Sequence, residues 1–251
     1  MISSFGVQVF TVRDFMQTEE QIRESFHKIK AMGYDEIQTA GCAIPYETYA
    51  KLAQEAGLTI CGTHDNFERM LQDPALAMAQ HRLLGTTNMG TGGWFEENTV
   101  SNMLAYIEKA NRLIDAIAPH GFTYTYHNHS HEFMKAEDGS CMFDWLLKKL
   151  NPAGSSFVLD TYWIQHGGGD VRYWLEKLAG RVKILHLKDM ARGPDGPMIT
   201  EIGNGNLWWE GILKTALDIG VKHFIVEQDH CPGDPFESLQ QSMDYLKQFK
   251  D

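Results

Sequence analysis

The chain has 251 residues, 43% of them hydrophobic and 22% charged, a formal net charge of −11 and four cysteines. This length suits one large domain with a sizeable core, so a single domain over residues 1–251 is expected. The acidic balance, with no basic run, argues against a nucleic-acid partner, because phosphate backbones are bound by clustered Lys and Arg.

No stretch nears the roughly 18 apolar residues of a membrane span. The N-terminus lacks a basic segment followed by an apolar run, so neither a signal peptide nor membrane contact is expected. Cys42, Cys61, Cys141 and Cys231 are scattered, without CxxC spacing, and read as free thiols of a reducing compartment. The expected location is the cytoplasm.

One rhythm runs through the chain: a short apolar or β-branched run, one or two polar residues, a helical stretch, then a glycine. The first strand is predicted over Phe5–Val12. Thr18 and Gln21 then form a capping box for a helix with Ile22, Phe26 and Ile29 on one face, closed by Gly33. A strand over Glu36–Thr39 and a helix carrying Tyr49, Leu52, Ala53 and Ala56 lead to Gly57. A third strand, Leu58–Gly62, precedes Thr63-His64-Asp65-Asn66 and a helix from about Pro74 to Gly85. A fourth strand, Thr86–Met89, meets the loop Gly90-Thr91-Gly92-Gly93-Trp94 and a long helix from Met103 to Ile117.

The fifth strand opens Tyr124-Thr125-Tyr126-His127-Asn128-His129-Ser130-His131-Glu132-Phe133. Alternate strand residues share a face, so His127 and His129 point one way and Tyr124 and Tyr126 the other. Phe143, Leu146, Leu147 and Leu150 mark the next helix. Strands over Ser156–Leu159, Val182–Leu187 and His223–Val226 follow, each with its helix. Gly167-Gly168-Gly169-Asp170 is either an anion nest or a plain loop whose Asp170 caps a helix. Strands alternating with helices indicate a parallel sheet, and eight units favour a closed (β/α)8 TIM barrel.

Active sites of such barrels lie at the C-terminal ends of the strands. This sequence places Gln8, His64, Trp94, His127, His129, Glu132, Asp160, Trp163, His186, Lys188, Glu227 and Asp229 there. A lone strand histidine is usually a hydrogen-bonded core residue. Carboxylates and imidazoles at four corresponding strand ends are instead the ligand set of one divalent metal ion, because burying such groups is costly unless they are paired or metal-bound. The mixed nitrogen and oxygen donors suit Mn2+ or Zn2+, with Co2+ or Mg2+ as further candidates.

The motifs Tyr126-His127-Asn128-His129 with Glu132-Phe133, Asp160-Thr161-Tyr162-Trp163, Leu185-His186-Leu187-Lys188-Asp189, Ile202-Gly203-Asn204-Gly205 and Val226-Glu227-Gln228-Asp229 recur in register. Over essentially its whole length the chain resembles the sugar phosphate isomerase/epimerase group of the xylose-isomerase-like barrels. The resemblance implies a metal held by Asp160, His186, Glu227 and an acid from the fifth strand. Many relatives carry Glu where His127 stands. Either His127 is itself the ligand, or Glu132 curls back to the metal and frees His127 for the substrate; Glu132 is the favoured reading. Trp163 replaces a substrate-contacting His of ketose epimerases, and Asn204 replaces a frequent Glu.

The expected reaction is isomerisation or epimerisation of a sugar or keto-sugar, by proton abstraction beside a carbonyl. The alternative is elimination from a keto-sugar or 3-keto-glycoside. His127, His129 and Glu227 are the candidate acid/base groups, and Lys188 a candidate carbonyl contact, its other reading being a salt bridge with Asp189. Gln8, His64, Trp94 and Trp163 are the candidate substrate contacts, the two tryptophans being equally consistent with rim packing. Absence of a basic cluster favours a non-phosphorylated substrate. Trp208 and Trp209, in loop-like positions, are compatible with a homo-oligomer.

Overall fold

The computed structural model describes residues 1–250. The short β-branched and aromatic runs become β1 (Gly6–Gln8), β2 (Glu36–Ala40), β3 (Thr59–His64), β4 (Asn88–Thr91), β5 (Thr123–His127), β6 (Ser155–Asp160) and β7 (Val182–Leu187). A hairpin of β8 (Asp189–Gly193) and β9 (Gly196–Thr200) precedes the last barrel strand, β10 (His223–Val226). Eight of these strands form one sheet in the order β3-β2-β1-β10-β7-β6-β5-β4, every neighbouring pair parallel.

The edge strands β3 and β4 lie side by side and nearly close the barrel. Asp65 N–H donates to Gly90 O (2.8 Å), Gly90 N–H to Thr63 Oγ1 (3.2 Å) and Asn88 Nδ2 to Cys61 O (2.7 Å). Gly90 is required at this seam, since a Cβ there would collide with the Thr63 carbonyl oxygen. The expected (β/α)8 barrel is the observed one.

The helices are α1 (Glu19–Met32), α2 (Tyr46–Glu55), α3 (Phe67–Gln72), α4 (Pro74–Leu84), α5 (Val100–Ile117), α6 (Met142–Lys149), α7 (Thr161–His166), α8 (Val171–Lys177), α9 (Trp209–Asp218) and α10 (Pro235–Leu246). Thr18 and Gln21 cap α1 reciprocally, and Ile22, Phe26 and Ile29 are its fully buried stripe. Asp170 caps α8 through the Tyr173 N–H (2.7 Å), which resolves the glycine run before it as a helix entry. Tyr124 and Tyr126 face outward, and both meet Tyr106 of α5. Among the described residues no helix is long and apolar enough to cross a membrane.

Four details depart from the sequence expectation. β1 stops at Gln8, because the Gln8 Oε1 accepts from Phe10 N–H (3.2 Å) and turns the chain into a 3-10 segment, Val9–Phe15. β4 begins two residues later than predicted, at Asn88, after Thr86 Oγ1 has accepted from Asn88 N–H (3.2 Å). The short helices α3 and α7 and the β8–β9 hairpin carry too few residues to show a period. Trp209 is core rather than loop, its indole N–H donating to Asp189 Oδ2 (2.7 Å), while Trp208 stays 59% exposed.

Candidate active site at the barrel mouth

Strand alternation turns His127, Asp160, His186 and Glu227 inward at the C-terminal ends of β5, β6, β7 and β10. One ligand-type atom from each lies within 4.8 Å of all the others, and none of the four residues is more than 4% exposed. His127 Nε2 is 3.3 Å from Asp160 Oδ2 and 3.9 Å from Glu227 Oε2. His186 Nδ1 is 2.9 Å from Glu227 Oε2 and 3.7 Å from Asp160 Oδ2.

Both imidazoles are held from behind. Gln38 Oε1, on β2, accepts from His186 Nε2 (2.5 Å), and the Gly92 carbonyl accepts from His127 Nδ1 (3.3 Å). A carbonyl oxygen can only accept, so each ring presents its other nitrogen to the carboxylates. A lone pair aimed at a carboxylate is repulsive unless a proton or cation lies between them. Two imidazoles so oriented and two carboxylates are a donor set that could hold a divalent metal, each imidazole with the outer partner metal-ligating histidines normally have.

Lys188 supplies positive charge here. Its fully buried ammonium lies 2.9 Å from Asp160 Oδ2, 2.8 Å from Glu227 Oε2 and 3.0 Å from Asp229 Oδ1. Burial alone would lower its pKa, but the three carboxylates overcome that and raise it. Burial would likewise raise Asp160, yet Lys188 and the two imidazoles hold it well below the carboxylate range, and Glu227 is lowered in the same way by Lys188 and His186. Burial and the Glu227 charge push Asp229 up. His186 would be lowered by burial, but Glu227 and Asp160 raise it. The alternative reading of Lys188, a salt bridge with Asp189, does not occur among the described ion pairs. Asp189 instead pins the chain after the hairpin, accepting from Gly203 N–H (2.9 Å) and Gly205 N–H (3.2 Å) as well as from Trp209.

Glu132 lies apart from this cluster. Its Oε1 accepts from the Tyr126 hydroxyl (2.7 Å) and its Oε2 from His129 N–H (2.8 Å), and the side chain is fully buried. Tyr126 faces away from the barrel axis, so this carboxylate braces the loop after β5 from outside. Between the two alternatives for the fifth strand, the geometry brings His127 to the other three groups and not Glu132.

Above the cluster is a cavity of about 480 Å³, lined by Phe10, Ala40, Gly41, His64, Asp65, Gly92, Phe95, His127, His129, Glu227 and Asp229. A larger groove of about 710 Å³ along α2 and the end of α4 is lined by Glu47 and Lys51 but by no histidine, so of the two only the mouth cavity gathers imidazoles. Gln8 Oε1 is occupied by Phe10 N–H, which aims its Nε2 at His64 Nδ1 (3.3 Å). That nitrogen must therefore accept, and the His64 proton sits on Nε2, which is buried without a partner. Burial and the neighbouring His127 and His186 rings depress His64 well below the ordinary value. His129 Nδ1 is likewise buried and unpartnered, and burial, His127 and Lys188 lower its pKa to about 2.

The two tryptophans divide. Trp163 is half-buried behind His129 (ring centroids 5.2 Å apart), with the Lys188 ammonium 5.3 Å from its ring. Trp94 is 2% exposed and is not part of the cavity wall; its carbonyl accepts from His131, so it packs the rim. The sequence places Asp229 at the mouth without a specific role and assigns none to Gln38, Asp65, Phe10 or Phe95. An inward strand position is the available signal for Gln38, whereas Asp65 and Phe95 sit on loops and Phe10 in the 3-10 segment after β1.

Residues 26–249 match the xylose isomerase-like TIM barrel family. A sugar phosphate isomerase/epimerase from Parabacteroides distasonis superposes with a TM-score of 0.83, at 23% identity, over 98% of this chain and 94% of that one. The D-allulose 3-epimerase of Methylomonas sp. gives 0.74, at 15% identity, over 98% of each chain. Inosose dehydratases from Mesomycoplasma hyopneumoniae and Geobacillus thermodenitrificans are 24% and 23% identical over 51% and 57% of this chain. The matches cover 48% and 53% of those enzymes, so the chain spans about half the length of the curated relatives it matches. With its eight parallel strands, its mouth-facing His, Asp and Glu cluster and a family match over most of its length, the chain belongs to the xylose isomerase-like TIM barrel family.

Proposed function

We propose that this protein is a divalent-metal-dependent isomerase or epimerase that removes the proton beside a carbonyl of a non-phosphorylated sugar or keto-sugar. The observation that carries the reading is the convergence of His127, Asp160, His186 and Glu227 beneath a cavity lined by unpartnered imidazole nitrogens. Two nitrogens and two oxygens suit Mn2+, Zn2+ or Co2+ better than Mg2+, which prefers oxygen alone. A cation held by these four residues supplies Lewis acidity to a carbonyl oxygen and stabilises the charge that develops as the adjacent carbon is deprotonated.

The chain's own groups carry the remaining work. His64 Nε2–H donates to a substrate hydroxyl or carbonyl oxygen, its direction set by Gln8. His129, held neutral, offers Nδ1 to a second hydroxyl. Asp229 takes the proton, since its raised pKa brings it toward the range of an effective base. Lys188 keeps that carboxylate in place through both oxygens (3.0 and 3.1 Å). Phe10 and Phe95 cover the apolar face of a sugar ring. The cavity wall contains no Lys or Arg, and the nearby Arg69 and Arg13 are engaged by Asp65 and by the Phe10 and Asp229 carbonyls. A phosphate would find no free Lys or Arg side chain there.

Gln38→Leu is expected to weaken metal binding about 10–100-fold, the usual cost of losing a partner behind a metal-ligating His. Chelator competition measures it, and unchanged affinity would contradict the orienting role. A pH dependence follows from His186, whose folded pKa is raised above 6.5. Its protonated pairing stabilises the cation-free protein fully below 6.5 and is lost as pH rises through the folded value. A cation must displace that proton, so affinity is expected to climb with pH through this window. Calorimetry in two buffers of different ionisation enthalpy should show proton release, and equal heats would count against it.

The reading is tested by incubating metal-loaded protein with keto-sugars in deuterium oxide. Deuterium entering one carbon of recovered sugar is expected; no exchange with any keto-sugar would overturn it. The inosose dehydratase relatives favour a second reading, elimination on a keto-sugar. Accumulation of an ultraviolet-absorbing unsaturated carbonyl would select that outcome.

A further inference from the structure

The floor of the barrel, at the opposite strand ends, carries a second convergence of ligand-type side chains. Glu36 opens β2 and His223 opens β10, and β1 lies between those strands. The two side chains nevertheless meet, with His223 Nδ1 2.9 Å from Glu36 Oε2. Gly6 makes this approach across a strand feasible. It pairs with Glu36 on one side and Ile225 on the other, and a Cβ there would lie 2.8 Å from Glu36 Cβ and 2.6 Å from Ile225 Cδ1.

Cys61 is the third member, and a local irregularity delivers it. The β2–β3 register runs Ile37↔Ile60 and then Gln38↔Gly62, so Cys61 is the extra residue of a bulge. Bulges re-aim side chains, and this one turns the thiol into the inner layer with Val158, Ile184 and Ile225. Ligand-type atoms of Glu36, Cys61 and His223 all lie within 4.8 Å of one another. Among the described residues His223 is the one ion-pair partner of Glu36. Lys183, nearby at the start of β7, directs its ammonium to Thr123 Oγ1 (2.8 Å) and Asn88 Oδ1 (3.4 Å) instead.

We propose that Glu36, Cys61 and His223 form a second divalent-cation site, of the zinc class, on the barrel floor. One sulfur, one nitrogen and one oxygen donor exclude hard, oxygen-seeking Mg2+ and Ca2+ and suit Zn2+. The side chains of His223 and Glu36 are 25% and 14% exposed, so a cation can enter from below and a water can complete a tetrahedron. Sulfur separates this site from the mouth, where all four donors are nitrogen or oxygen.

The test titrates the full, metal-stripped chain with Co2+ and follows the near-ultraviolet absorption of a thiolate–cobalt bond. The absorption is expected to rise to a plateau and to be displaced by Zn2+. It should vanish in Cys61→Ala, and His223→Gln should require at least about tenfold more Co2+ to reach it. Cys231→Ala and His127→Ala should both retain it. His223 is partly exposed, so its replacement keeps the test informative if the Cys61 variant folds poorly. No absorption in the wild type, or absorption unchanged in Cys61→Ala, overturns the floor site and leaves the mouth untouched. Loss of mouth metal with the absorption intact does the reverse.

Discussion

His127→Ala is expected to empty the mouth of its cation, while Glu132→Ala keeps it. Affinity for Mn2+ or Zn2+ should fall in the first variant by more than the roughly 10–100-fold that losing an outer-shell partner costs. The reason is positional. His127 Nε2 faces Asp160 and Glu227, its Nδ1–H being occupied by Gly92 O, whereas both Glu132 oxygens are taken up by Tyr126 and the His129 amide.

Glu132→Ala should instead destabilise the protein, because a buried hydroxyl and a backbone N–H lose their acceptor. Each such group left unsatisfied costs about 1–3 kcal/mol. It should also lower turnover by loosening His129, whose backbone it braces. Elemental analysis after dialysis, with thermal unfolding of both variants, measures these effects. Retention of metal by His127→Ala and its loss from Glu132→Ala would reverse the assignment and return the fifth-strand ligand to Glu132.

Lys188→Met is expected to reveal how strongly the mouth depends on one positive charge. The ammonium is fully buried against Asp160, Glu227 and Asp229, and methionine keeps most of the stem volume while deleting the charge. Removing one partner of a buried ion pair typically costs about 3–5 kcal/mol, because the other charges stay buried and uncompensated. The cation-free variant should lose stability on that scale.

A bound divalent ion restores the missing charge. At about 1,000 times its Kd it stabilises the folded state by about 4 kcal/mol, so the deficit should largely close when metal is added. Affinity for the ion should rise as well, since the ammonium no longer competes for Asp160 and Glu227. Urea unfolding with chelator and with saturating Mn2+ gives both quantities. Equal stability of variant and wild type in chelator would show that Lys188 does not neutralise the cluster.

The barrel was legible in the residue pattern, because its determinants are local. Short apolar or β-branched runs mark strands and period-3.6 stripes closed by glycines mark helices, and Thr18 and Gln21 announce the first helix through short-range hydrogen bonds. Asp160, His186 and Glu227 were legible as candidates for the same reason: in a parallel barrel every strand end of one polarity lies on one rim.

The remaining features of the site depend on contacts between residues far apart in the chain. His127 ends β5 and Glu132 follows it by five residues, and only the path of the intervening loop shows that Glu132 braces Tyr126 from outside instead of joining His127. The Gln38–His186 and Gln8–His64 bonds join residues 148 and 56 positions apart and fix which ring nitrogen faces the cluster or the cavity. Lys188 met Asp160, Glu227 and Asp229 rather than its neighbour Asp189, because alternation sends adjacent side chains to opposite faces. Cys61 reached Glu36 and His223 through a one-residue bulge and a glycine on the strand between them, neither of which has a periodic signature. Periodicity assigns a side chain to a face; closure of the sheet and the course of each loop determine its partners.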